Sequence, residues 1–436
     1  MAALTTVMIL FFIMALVAAY TNRNLIFEQR ISANGYRANR ALAAADAGVE
    51  WTLAMLNGGR VDGNCRPSSQ AGNDFRSRYL ADPGDGSGGY GLAWGGTPAN
   101  MVYPACIIRQ GETFCICPSV GGVVADIGAP ADGIGSSFRI TFLLPGQYLP
   151  PAGGGPRPGA MVFSSRGCAN PGSGSSACFA QTGNASLVVD GVAGALSTVG
   201  LVRALPIRPG AALTAGTTVD ATGGGLTIIT NSSIEPQATM TVHSGGAITA
   251  PANCSLTLGT SSNATGPACD AGKADGDAAL AALAAGTGWF RSMFGMPMAD
   301  YQRQPAVVRV DCNAGCTLAD PDLNRKLAGF PRNPIWVDGN LDINAVASLG
   351  SVANPLMLIV NGNLTISANA TMHGFIHANR ITWSSPATLA GAMVSATSFT
   401  ATAVATIVYD DAVLNTIQMR YGSFVRAPGG WNLTNF

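Results

Sequence analysis

The chain has 436 residues, ten Cys and 55 Gly, and only 11% of it is charged, with 24 Lys+Arg against 24 Asp+Glu. So low and balanced a charge excludes the basic footprint of a nucleic-acid binder and the charge excess of a disordered chain. At 44.3 kDa and 47% apolar the chain buries a sizeable core, and its length suits two or three units rather than one. Its acids are 20 Asp and four Glu, and its bases 22 Arg and two Lys. Long helices favour Glu and Lys, so helix is expected to be a minority.

Met1 to Asn22 carry no charge, and MAALTTVMILFFIMALVAAY is 20 residues, the length that crosses a bilayer as a helix. A signal peptide has a charged segment before its apolar run and a small-residue cleavage site after it, and neither stands here. The first Pro is Pro67 and the first stop is Asn57-Gly58-Gly59, so the helix is predicted to run on to residue 56, about 84 Å in all. Phe27, Ile31, Ala38, Leu42, Ala45, Val49, Leu53 and Leu56 recur at helical steps, with Arg23, Arg30, Arg37 and Arg40 off that stripe. One face of the second half is therefore expected to dock onto a globular unit while the apolar first half projects beyond it. A plain membrane anchor is the simpler reading of residues 1–56, but an anchor has no need of the amphipathic continuation.

Residues 57–150 mix turn signals with short apolar runs, Tyr90-Gly-Leu-Ala-Trp, Val102-Tyr, Ile107-Ile, Phe114-Cys-Ile-Cys and Ser137-Phe-Arg-Ile-Thr-Phe-Leu-Leu. These are predicted strands of a small antiparallel sheet packed on the helix. Pro145 to Pro158 forms a Pro/Gly linker and a domain boundary. From residue 151 the chain becomes rich in Gly, Ala, Ser, Thr and Val, with eight charged residues between 151 and 270. Val337-Asp-Gly-Asn-Leu-Asp-Ile-Asn and Val360-Asn-Gly-Asn-Leu-Thr-Ile-Ser repeat, with a weaker echo in Val188-Val-Asp-Gly-Val-Ala-Gly-Ala-Leu. Repeats of this kind predict stacked coils, so residues 151–436 are read as a Gly/Thr-rich β-solenoid, parallel β-helix-like, with a β-sandwich as the rival. An insertion at about 270–332 holds one helical island, Asp277-Ala-Ala-Leu-Ala-Ala-Leu-Ala-Ala, capped by Asp275 or Asp277.

The cysteines form local groups. Cys168 with Cys178, Cys254 with Cys269 and Cys312 with Cys316 bracket loops that a disulfide would close, and the pairing among Cys65, Cys106, Cys115 and Cys117 is open. Disulfides imply an oxidising, periplasmic or extracellular setting. Metal is the competing use of Cys, but the chain has three His and no paired C-x-x-C motifs, and the lack of C-x-x-C-H excludes covalent haem. His373 and His377 suggest a metal pair on one strand face but lack an obvious third ligand, so surface ladder positions are preferred. Asp270, Asp275 and Asp277, or Asp320 and Asp322, are candidate Ca²⁺ loops without the Glu an EF-hand requires, and suit helix capping better. No paired-Glu site and no G-x-S-x-G occur in the β-rich part, so no enzyme, catalytic residue, metal or cofactor is expected.

MAALTTVMILFFIMALVAAY followed by RNLIFEQRISANGYRANRALAAADAGVEWTLA resembles the N-terminal segment of PilX-type minor pilins of type IV pili, most specifically at Ala43-Ala-Ala-Asp-Ala-Gly-Val-Glu50. Ile407-Val-Tyr-Asp-Asp-Ala-Val-Leu-Asn and Ala427-Pro-Gly-Gly-Trp-Asn resemble the closing motifs of larger PilX-like proteins, with Gly430 where Ser is usual. The resemblance covers 1–56 and 330–436. It implies an α+β head in 57–150 and a chain numbered from, or close to, the prepilin peptidase site, with Met1 as the methylated residue. It further implies a precursor in the bacterial inner membrane, later an extracellular filament whose core holds Met1, Leu4, Thr5, Ile9, Phe11, Phe12, Ile13 and Leu16. Implied partners are other pilin subunits and a tip adhesin, with no nucleic acid. Thr5 stands where major pilins carry Glu, and the usual Pro near the end of the apolar half is missing, which favours a minor or tip subunit over a major one. A membrane-anchored adhesin is the alternative from another class, and Trp336, Trp383 and Trp431 are the aromatics an exposed binding groove would use.

Overall fold

The computed structural model describes residues 2–70, 72, 74–81, 90–93, 102–119, 135–143, 159–169, 191–230, 240–251, 254–258, 261–263, 271–286 and 288–434. Ala2–Asn57 is one helix, ending where Gly58 N donates back to Met55 O before the backbone turns away. Residues 4–36 are exposed, and burial begins at Ala41 and follows Ala44, Ala45, Gly48, Val49, Thr52 and Leu56. The stripe read from the sequence therefore docks only in its lower half, because Phe27, Ile31 and Ala38 lie above the head and are exposed.

The docked half lies on an antiparallel sheet whose strands run, in spatial order, Gly422–Thr434, Val192–Arg203, Ala160–Cys168, Ser136–Leu143, Ala105–Arg109 and Glu112–Ile116. Trp51 of the helix meets Phe75 and Phe138, and Phe142 stacks on Tyr79 at 5.4 Å, so aromatic rings fill the space between helix and sheet. Nearer the helix's exposed half the layers touch backbone to backbone. A Cβ on Gly167 would lie 2.2 Å from Ala41 O and 2.3 Å from Ala45 N, and only Gly admits that approach. Three of the six strands come from beyond the Pro/Gly segment, whose residues 145–158 lie outside the described residues. The Ala427-Pro-Gly-Gly-Trp motif sits in the edge strand, where the pairing skips between Arg426 and Trp431.

Cys106 and Cys115 are a directly opposed pair on adjacent strands and are bridged, and Cys65 is bridged to Cys117, which settles the pairing the sequence left open. Cys312–Cys316 forms as expected. Cys168 and Cys254 are also disulfide-bonded, while Cys178 and Cys269 lie outside the described residues.

The rest is a large curled sheet of mostly parallel strands. The two repeats lie side by side in register, Val337 beside Val360, Leu341 beside Leu364 and Ile343 beside Ile366, and Asn363 N donates to Asn340 Oδ1 one repeat away. The third echo does not join them: residues 188–190 are outside the described residues, and Val192–Arg203 belongs to the antiparallel sheet. Spatial order departs from chain order, because Leu213 pairs with Met393 and Val219 with Phe399, which stacks the strands of 211–230, 240–249 and 255–258 beyond those of 387–409.

Leu356-Met-Leu-Ile-Val360 is buried on both faces, hence its unbroken apolar run. One face looks into the curl. Over the other lie the short helices Ala278–Ala285, Gly288–Phe294 and Met298–Tyr301. Asp277 is the N-cap of the first, its Oδ1 accepting from Ala279 N and Leu280 N. The insertion also contributes a sheet strand, Val308–Thr317, beside Ile335–Ile343.

Candidate assembly interface

Leu4, Ile9, Phe11, Phe12, Ile13 and Leu16 all lie on the free part of the helix, and Phe11 is 75% exposed. Thr5 is on the same segment, whereas Met1 lies outside the described residues. No charged side chain occurs before Arg23, whose guanidinium sits over the Phe27 ring. The hydroxyl of Thr21 donates to Val17 O, so it brings no unpaired donor into apolar surroundings. Residues 4–22 make an apolar rod roughly 30 Å long, the thickness of a bilayer core. Its surface is turned outward on every side. Such a surface is stable only in lipid or against other apolar helices.

The other end of the helix is fixed by buried polar groups. Asn57 Nδ2 donates to Phe424 O at 2.9 Å while its Oδ1 accepts from Phe424 N at 2.8 Å, which pairs the last helical residue with the C-terminal strand. Asn333 Nδ2 donates to Asn57 O and to Ala306 O, and Ser423 Oγ accepts from Ala306 N. Arg76 is buried and donates to the carbonyls of Leu56, Arg420 and Gly422, with its guanidinium 4.9 Å from the centre of the Phe424 ring. Burial lowers its pKa from the ordinary arginine value, and Tyr90 and Asp74 oppose that shift. On the surface Arg426 reaches Glu50 at 2.6 Å. Helix, head and curled sheet therefore meet at one polar knot. Asn57, Arg76 and Asn333 had no signature in the sequence, since their partners lie up to 367 positions away.

The other candidate residues are spread apart and occupied. Trp336 and Trp383 are fully buried, which removes them from any exposed aromatic groove, and Trp431 is 44% exposed on the edge strand. His377 is buried rather than at the surface, because helix Gly288–Phe294 covers its side of the sheet. Asp320 caps helix Pro321–Gly329, Asp322 pairs with Arg325 and Lys326, Asp275 with Lys273, and Asp270 lies outside the described residues. Among the described residues no group of three or more His, Cys, Asp or Glu is placed to hold a metal. A polar cleft of about 630 Å³ is lined by Arg309, Asp311, Asn313, Asp322, Lys326, Asp338, Gly339 and Asn361. Its charges are largely spent on one another: Arg309 pairs with Asp338 and Lys326 with Asp322. Burial is the largest single influence on the Asp338 carboxyl and opposes its ionisation, but the Arg309, Trp336 and Asn361 donors together outweigh it and hold the group below the usual carboxylate range.

Residues 1–50 match the family described as PilX N-terminal. No curated protein matches the chain. Among solved structures, that of the competence-associated pilin ComZ from Thermus thermophilus aligns over 91% of this chain and 97% of its own at 11% identity, with a TM-score of 0.21.

Proposed function

We propose that the chain is a structural, pilin-like subunit that waits in the bacterial inner membrane and is then drawn into a type IV pilus, where residues 1–22 pack among neighbouring helices. The observation that carries this reading is the apolar rod of residues 4–22, which is exposed along its length and packs on none of the described parts of the chain, yet continues into a helix knotted to the head. The family match over residues 1–50 supports it. Leu4, Ile9, Phe11, Phe12, Ile13 and Leu16 exchange lipid for helix contacts on assembly, where the gain comes from close packing rather than from leaving water. Met1 is the methylated end, and Thr5 replaces the charge that a major subunit would use, so a minor or tip position fits best.

On this reading residues 1–56 are the assembly helix, 57–150 begin a head whose sheet is completed by Ala160–Cys168, Val192–Arg203 and Gly422–Thr434, and the remainder of 151–436 is a displayed β-solenoid. The side-by-side repeats support the solenoid. The partners are other pilin subunits and a tip adhesin, the role is assembly and adhesion rather than catalysis, and a large-subunit major pilin is the alternative. Filaments sheared from the native cells and analysed by quantitative mass spectrometry test the proposal. A trace of this chain beside a smaller, more abundant pilin is expected. A dominant amount supports the major-subunit alternative, and absence from the filaments overturns the assembly role.

A further inference from the structure

On the outer face of the curled sheet, one row crosses six strands in register: Trp336, Ile359, His377, Val394, Thr214 and His243. Two histidines in this row hold the helices above it. His377 Nε2 lies 3.2 Å from Trp289 Nε1 on helix Gly288–Phe294. An indole N–H only donates, so His377 Nε2 accepts and the ring is neutral with its proton on Nδ1. His243 Nε2 lies 2.8 Å from Asp277 Oδ2, the carboxylate that caps helix Ala278–Ala285.

We propose that these helices form an acid-opened lid, latched by the bond from Trp289 to His377 and hinged at His243–Asp277. Protonating His377 puts an N–H against the Trp289 N–H, so the latch bond becomes a repulsion between two donors. Among the described residues no charged group offsets that charge. The sheet presents Ile359, Val394 and Phe375 to His377, and the lid presents Trp289 and the rings of Phe290 and Phe294, steeply inclined to the imidazole with centroids at 5.7 and 5.5 Å. Tyr301, which packs on both Phe rings, has its hydroxyl bonded to Ala204 O. His373 lies four residues along the same strand, and the lid's own Arg291 and Asp300 are exposed. Burial alone pushes the His377 pKa down to about 4.

The hinge behaves in the opposite way. The His243 hydrogen bond, with the Leu280 and Ala279 amides, holds the Asp277 carboxyl below its usual range, so it stays ionised through mild acid. A protonated His243 still donates to it. Lys273, in the strand beside His243, is paired with Asp275.

His377 has a folded pKa below the ~6.5 of a free histidine, so the open lid binds the proton more tightly. The closed form keeps its full advantage above about pH 6.5 and loses it as pH falls toward 4. The loss is roughly tenfold per pH unit, about 300-fold over the window.

The test uses the full chain in detergent micelles, followed by hydrogen exchange and histidine ring NMR from pH 7.5 to 4. Exchange in 288–301 is expected to accelerate by up to about 300-fold at constant intrinsic rate, in step with His377 protonation, while 278–285 changes less. In His377→Gln the amide oxygen accepts from Trp289 without titrating, so the lid should stay closed throughout. Exchange in the native chain that ignores pH overturns the proposal, as does an unchanged acid response in His377→Gln. If that variant does not fold, the native chain alone decides, because a His377 ring that protonates without faster exchange of 288–301 also overturns it.

Discussion

Replacing Gly167 by Ala adds one methyl group at the closest contact between helix and sheet. The new Cβ would lie 2.2 Å from Ala41 O, 2.3 Å from Ala45 N and 2.9 Å from Ala45 Cα, where ordinary contact begins at 3.4 Å. All three atoms are backbone, so no rotamer change relieves the clash and the helix must lift by about 1 Å. Lifting it loosens Ala45, Val49 and Leu56, which are buried in the head core with Phe138 and Phe163. Overpacking costs about 1–3 kcal/mol, and the upper end applies because rigid elements rather than side chains have to move. Gly200→Ala, in the neighbouring strand with nothing within 4 Å of the new Cβ, is the control and should be neutral or slightly stabilising. The assay is denaturant unfolding of the detergent-solubilised chain, monitored by Trp51, which meets Phe75 and Phe138. A loss of about 2–3 kcal/mol for Gly167→Ala is expected. If it matches Gly200→Ala within about 0.5 kcal/mol, the tight helix–sheet contact is wrong.

Arg76→Met keeps much of the side-chain volume but leaves the carbonyls of Leu56, Arg420 and Gly422 without this donor, and should cost roughly 3 kcal/mol in the same assay, with Arg76→Lys recovering part of it. Removing Cys65–Cys117 by paired Ala substitution should destabilise by about 4 kcal/mol, against about 3 for Cys106–Cys115, because the first closes a separation of 52 residues and the second of 9. Equal denaturation midpoint shifts would refute the loop-length reasoning. Ile9→Asp or Phe12→Asp places a charge in the apolar rod at about 2.5–3.5 kcal/mol, so membrane retention and filament incorporation should fall sharply while folding of the head is unchanged. Normal entry into filaments would count against the assembly role.

The helix was legible because its signals are local: an uncharged apolar run, a stop at Asn57-Gly58-Gly59 and Ala-rich residues 41–47 between them. The strands around Phe114 and Ser137 were legible through β-rich runs bounded by turns, and the 23-residue spacing of Asn340 and Asn363 reported parallel neighbours. Where the helix docks was not legible. Phe27 and Ile31 have the same spacing as Val49 and Leu56, and only the height of the head decides which of them are covered. His377 looked like a surface residue because alternation along a strand cannot foresee a helix arriving from residues 288–294 to roof it. The knot at Asn57 is the extreme case, since Phe424 meets it only after the whole intervening chain has folded back.

The strand Gly422–Thr434 is the edge of the head sheet and the partner of the helix terminus, yet it is the last described part of the chain. A chain exported from its N-terminus presents the helix first and completes the sheet beneath it last. Until residues 422–434 arrive, Asn57 and Arg76 lack their bonds to Phe424 and Gly422, and the edge of Val192–Arg203 lacks its strand. Premature termination between residues 203 and 422 therefore damages the head as well as the curled sheet, so that under the proposed function a subunit with an incomplete far end is also unfinished at the end that would hold it in a filament.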